Sequence, residues 1–244
     1  MINKCSNIID LTSFLDSSNY ISHLKENETV LIKINLARPP EPEHPRTDAE
    51  ILNNVVTYFI NKGCVCAVAE CADGYLDDNL KSIGLESLTK DPRVRILDLD
   101  KEEADRVTIN GEEHYVPKCL KEYKLRIAIP AASKRPNAIF SNNVKLFVGA
   151  VPRKMYQIGE TVCWRPRIHI DLHKSVANVY RAIMEYAPFH LFINGGKAMQ
   201  ENYGEFDFDA ILVGDNGLEL DKYIADNIFK IERPDYINIL SDFV

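Results

Sequence analysis

Short apolar runs alternate along this chain with segments whose apolar residues recur every three or four positions, and this alternation constrains the fold most. A short apolar run bounded by turn residues reads as a buried strand, and a longer periodic stretch as an amphipathic helix. The order of the two is that of βα units around a largely parallel sheet. After an opening element at Asn7–Leu11, the first clear strand is Thr29–Asn35. Thr47 then stands three residues before Glu50, a capping-box pattern that opens a helix. Leu52, Val55, Val56, Phe59 and Ile60 share one face of it, and Gly63 closes it.

Further strands are expected at Val65–Glu70, Val94–Leu99, Leu125–Ile129, Phe189–Ile193 and Ala210–Val213. A weak helix is expected up to about Gly84. Asp171 can cap another, with Val176, Val179, Tyr180, Ile183 and Met184 as its apolar stripe. A last one follows Gly217 and carries Leu220, Tyr223, Ile224 and Ile228 inward. Asn110-Gly111 sits between Val107–Ile109 and Glu113–Val116, which is the pattern of a two-residue hairpin. The expected fold is therefore α/β, with a mostly parallel or mixed central sheet flanked by helices. An antiparallel hairpin excursion falls near 105–117, and the chain 1–244 is expected to form one domain.

Two stretches resist this reading. Arg38–Arg46 is Pro-rich and can neither extend a sheet nor start a helix. Residues 130–170 are interrupted by Pro130, Pro136, Pro152 and Pro166.

Composition narrows the function classes. A hydrophobic fraction of 45% and a charged fraction of 27% are those of an ordinary globular protein. A net charge of −7 makes nucleic acid an unlikely partner, because counterion displacement needs an excess of Lys and Arg. No run of apolar residues approaches a membrane span, and Met1–Leu11 lacks the pattern of a secretory signal. Six cysteines are too few and too scattered for a disulfide scaffold, so the expected location is the cytoplasm.

In a parallel α/β sheet, ligands bind outside the carboxyl ends of the strands. Lys33 and Asn35, Glu70, Lys134, Asn194 and Asp215 all stand at or just beyond such ends, so the topology would gather them on one rim. Strand ends are commonly polar because they meet solvent. Lys33 is different, since it lies within an apolar strand and a buried ammonium requires an anionic partner. Lys134, Arg135, Lys145, Arg153 and Lys154, with Arg165, Arg167 and Lys174 beyond, form a basic stretch on an acidic protein. It reads either as a solvated face or as a funnel for a phosphate or carboxylate, with Asn142, Asn143 and Gly149 able to add amide contacts.

His169, Asp171 and His173 are spaced so that all three could converge on a divalent metal, though Asp171 serves equally as a helix cap. Cys64, Cys66 and Cys71 fit no common cluster spacing and read as small apolar residues, so an intrinsic iron–sulfur cluster is not expected. Asn194-Gly195-Gly196 is a short turn and not a dinucleotide fingerprint.

Taken in order, several motifs resemble one family. They are Val30–Leu36, Thr47-Asp48 with its helix, Ala69-Glu70, Ile83–Leu85, Ile129–Lys134, Asn143–Lys145, Val148–Pro152, His169, Ile193–Met199, Val213–Asp215 and Leu220-Asp221. Together they resemble the domain of unknown function 362 family over residues 29–228. That family's pattern has proline at Ile34, histidine at Pro136, asparagine at Leu146 and aspartate at Asn194. Two groups able to bind metal or move protons are thus replaced. The family is often found with iron–sulfur segments, and this chain has no matching cysteine run. The expected function is an enzyme acting on a small anionic metabolite at the carboxyl edge of the sheet. Lys33, Asn35, Lys134, Asn143, Lys145 and Asn194 would hold the substrate, and His169, Glu70 or Asp215 would exchange protons. The alternative is a non-catalytic protein that binds a ligand or docks a redox partner.

Overall fold

The computed structural model describes residues 1–36, 46–71, 76–82, 85–135, 137–159, 165–200 and 204–242. Most of the Pro-rich loop, the Cys71–Gly74 turn beyond its first residue, and Gly84, Pro136, Cys163 and Trp164 lie outside them. The strands are β1 (Ile2–Cys5), β2 (Thr29–Ile34), β3 (Val65–Glu70), β4 (Val94–Asp98), β5 (Ala104–Ile109), β6 (Glu112–Pro117), β7 (Leu125–Ile129), β8 (Ser133–Arg135), β9 (Ile139–Ser141), β10 (Leu191–Asn194), β11 (Lys197–Met199), β12 (Glu205–Asp207) and β13 (Ile211–Gly214). The α-helices are α1 (Ile8–Ser17), α2 (Asn19–Ser22), α3 (Ala49–Asn61), α4 (Leu76–Ser82), α5 (Asn143–Leu146), α6 (Leu172–Tyr186), α7 (Gly217–Ile224) and α8 (Asp235–Ser241).

Seven strands form the central sheet in the order β1-β13-β10-β7-β2-β3-β4. The block from β10 to β4 is parallel; at one edge β13 runs antiparallel to β10, and β1 runs antiparallel to β13 and so in the direction of the block. Within it β2, β3, β7 and β10 are buried on both faces, as a place between two helical layers requires, while β4 is a partly exposed edge strand. One layer packs α1, α3 and α4 against Val30, Ile32, Ile127 and Ile193. The other packs α6, α7 and α8 against Leu31, Ala128 and Phe192. A small sheet, β12-β11-β8-β9, stands beyond the carboxyl ends of β7 and β10.

Helix α3 begins one residue later than a Thr47 cap implies. Asp48 is the N-cap, its carboxylate accepting from the Ile51 N–H at 2.9 Å. Thr47 is buried instead, with its hydroxyl taking the Asn35 N–H and donating to the Ile129 carbonyl. It thereby fastens the ends of β2 and β7 beside each other. Gly63 follows the helix at φ +79, a left-handed position that favours glycine. The opening element at Asn7–Leu11 is the start of α1, with Asn7 capping it and β1 preceding it.

The hairpin β5–β6 turns on Asn110 (φ 51) and Gly111 (φ 78), the two positive values that a two-residue primed turn needs. It is fastened to α6. Asn110 donates to Asn178, Glu112 accepts from Lys174 and Asn178, and the Tyr186 hydroxyl donates to Asp105. The hairpin is a packed edge of the molecule, not a lid. No helix among the described residues is long and apolar enough to cross a membrane.

Candidate functional site

The carboxyl edge of the parallel block collects polar groups because the period of two puts Lys33 and Asn194 on the same face as Leu31 and Phe192. Lys33 sits beside Ala128 in register, and Ala128 beside Phe192. The small alanine leaves room above the sheet there. Lys33 is fully buried and gives one proton to Glu70 Oε1 at 2.9 Å and another to the Ile34 carbonyl at 2.7 Å. Glu70 also accepts from the N–H groups of Cys71 and Leu36. Burial pushes its carboxyl up, against the pull of Lys33 and the two N–H groups. Gly149 closes over the pair, since a Cβ there would lie 2.8 Å from Glu70 Oε1 and 3.5 Å from Lys33 Nζ. The anionic partner that Lys33 requires is therefore Glu70, and both are sealed inside the rim.

A second buried cluster joins α5, β10 and α7. Asp221 is fully buried and receives four N–H groups, from the side chains of Asn142 and Asn143 and the backbones of Asn143 and Val144, at 2.9–3.0 Å. Asn194 Oδ1 accepts from both asparagine amides. No cation faces Asp221 in this cluster, so burial pushes it up to about 7 in spite of the donors. Asn142–Val144 is thereby locked at the start of α5, directly before Lys145.

Lys145 is half-buried, and no hydrogen bond or ion pair among the described residues occupies its ammonium. Desolvation lowers it to about 8, with the Arg135 guanidinium adding to the effect. Lys134 is half-buried on the adjoining β8. An amine held this way attracts an anion while protonated and can take a proton when neutral. Gly196 (φ +70) lets the turn after β10 run against Asp48, whose carboxylate leaves no room for a Cβ there.

Other expected site residues lie elsewhere. Asp215 follows β13, and β13 is antiparallel to β10, so Asp215 stands at the opposite edge of the sheet. There it pairs with the Met1 ammonium at 3.1 Å. The single-rim expectation assumed that every strand pointed the same way, and β13 does not. His169 is exposed with Nδ1 3.0 Å from the Arg165 carbonyl, Asp171 is exposed at the start of α6, and His173 stacks on Tyr236. The three do not converge, and no group of His, Cys, Asp or Glu placed to hold a metal occurs among the described residues. Asn35 uses its backbone N–H and carbonyl to clasp Thr47. Asn143 and Asn194 are spent on the buried cluster.

The basic stretch also thins out. Arg153 and Arg165 both turn to Asp100, and Lys174 to Glu112. Asp221 is the principal polar residue that the sequence reading left without a role. Its signals were its place in the Leu220-Asp221 motif and its position as an acid on an apolar helical face beside Leu220.

Cys5, Cys64, Cys66, Cys71 and Cys119 are buried free thiols. Burial pushes them up, Cys66 and Cys119 to about 12. In the native protein these five should react slowly with an aromatic disulfide reagent and rapidly in guanidinium. Fast labelling of any of them under native conditions would contradict the packing described.

Comparison with known proteins agrees with this architecture. The structure of the lactate racemase apoprotein from Thermoanaerobacterium thermosaccharolyticum superposes with a TM-score of 0.54 at 11% identity. The match covers 88% of this chain and 54% of that one, so this chain spans about half the length of its structural neighbour. No curated protein matches the sequence. The model of the domain of unknown function (DUF362) matches residues 30–226, from the first strand of the parallel block to the helical segment after β13. By that match, the chain belongs to the DUF362 family.

Proposed function

We propose that the carboxyl edge of the sheet binds a small anionic metabolite, a carboxylate or phosphate, with Lys145 as its principal cation. The observation that carries this is an ammonium half-buried at the ligand-binding edge of an α/β sheet with no acidic partner among the described residues. Such a group is costly unless an anion completes it. Lys134 and Arg135 on β8 raise the local positive potential. Lactate, named for the racemase that shares the fold, is a small carboxylate of this kind, although at 11% identity the likeness carries the fold alone.

In the catalytic form of this proposal, the neutral amine of Lys145 is the base. Glu70 is engaged by three protein donors, and Asp215 is at the other edge. Those engagements favour, as a second reading, binding without turnover. Turnover of any small anion that is lost in Lys145→Met decides for the enzyme.

Sulfate is the probe for binding, because its charge does not change between neutral and alkaline pH. Calorimetric titration should give saturable binding that weakens as pH rises through about 8, where Lys145 loses its proton. Lys145→Met should weaken it roughly tenfold to a hundredfold, the worth of one charge-assisted hydrogen bond. Unchanged affinity in that variant would sink the proposal.

A further inference from the structure

A cavity of about 320 Å³ lies between β6, the start of α6, Met155-Tyr156 and Arg167-Ile168, and the rim site does not use it. His114 forms part of its wall, is 4% exposed, and among the described residues has a partner for neither ring nitrogen. A buried imidazole without partners is rare, since a polar atom shut away from water loses the hydrogen bonds it would make there. Arg167, also in the wall, makes no hydrogen bond or ion pair among the described residues. The Ser175 hydroxyl is likewise unengaged. Tyr156 accepts the Tyr115 N–H, which leaves its own hydroxyl proton to give.

The acids nearby are already taken. Glu112 is held by Lys174 and Asn178, and Glu113 by Arg106 and the Tyr115 hydroxyl. What the cavity offers a ligand is therefore an excess of donors and one guanidinium, beside the apolar flanks of Met155 and Ile168. Desolvation lowers the pKa of His114 and favours the neutral ring, which then has one N–H to donate.

We propose that this cavity is a second ligand site that takes a small monocarboxylate, with its carboxylate on Arg167 and its apolar body against Met155 and Ile168. The volume is at the low end of small-molecule pockets and suits a short-chain or single-ring acid. The site is separate from Lys145 and stands whether or not the rim binds an anion.

The test uses butyrate and benzoate as probes, with butanol and benzyl alcohol as their uncharged counterparts. Binding is followed by calorimetry and by the ring resonances of ¹³C-labelled histidine, assigned through His114→Gln. The acids should bind saturably, shift the His114 resonances and outbind the alcohols. Arg167→Ala, a change at an exposed residue, should weaken the acids about tenfold or more. In Lys145→Met the His114 shift should keep its size and its dependence on acid concentration, because that resonance reports this cavity and not the rim. No saturable binding, a His114 shift that survives Arg167→Ala, or binding without movement of the His114 resonances would overturn the proposal. Binding lost in Lys145→Met instead would assign the acids to the rim.

Discussion

Replacing Lys33 by methionine should lower the stability of this protein by about 3–5 kcal/mol, the cost of leaving one member of a buried pair uncompensated. Glu70 would remain with two backbone N–H groups and no cation, in a place where Gly149 admits no larger group. For a chain of this size that corresponds to a fall of roughly 6–20 °C in midpoint. Glu70→Gln should cost a similar amount, because it leaves the Lys33 ammonium in the same sealed position. The double variant Lys33→Met, Glu70→Met should recover much of the loss, since apolar pairs of similar volume often replace a buried ion pair at little cost. Denaturant unfolding of the two singles and the double measures the coupling directly. Additive losses would mean that the two side chains do not depend on each other, contrary to their 2.9 Å contact.

Asp221→Ala is expected to be the other severe change, at about 3 kcal/mol or more. Four N–H groups lose their acceptor at once, and each orphaned buried donor costs about 1–3 kcal/mol before relaxation. The damage should spread to α5, whose first residues have no other anchor to α7 in this cluster.

The same aspartate gives stability a pH dependence with a definite sign. Its folded pKa, about 7, lies above the ordinary value of 3.8, so the folded state holds a proton that the unfolded chain has released. Stability from this group is complete below about pH 4 and is lost as pH rises through about 7. At about 1.4 kcal/mol per tenfold, the whole window is worth on the order of 4 kcal/mol. Other carboxylates titrate in the opposite sense at lower pH, so the clean readout is a difference. Wild type minus Asp221→Asn should fall between pH 5 and 8. A flat difference would mean that Asp221 is ionised throughout.

The sequence was most legible where one local rule sufficed. The apolar runs of β2, β3 and β7 announce strands buried on both faces, and Asn110-Gly111 announces a hairpin whose two positive φ angles few other pairs tolerate. The cap of α3 was legible to within one residue, because Thr47 and Asp48 are both good caps and only the clasp between β2 and β7 chose between them. The requirement that Lys33 find an anion followed from its place in an apolar strand.

What that anion is could only come from tertiary structure. Glu70 is 37 residues away, and the register of β2 with β3 is what sets the two side by side. The direction of β13 is likewise invisible in its residues, since an apolar run buried on both faces reads the same either way, and that direction removed Asp215 from the rim. The cluster around Asp221 joins positions 142, 194 and 221, and no spacing rule reaches across such distances. Local patterning therefore fixed which segments are strands and helices, because period and capping are properties of neighbouring residues. The composition of the site was decided by strand order and direction, because those alone determine which distant side chains share a buried face.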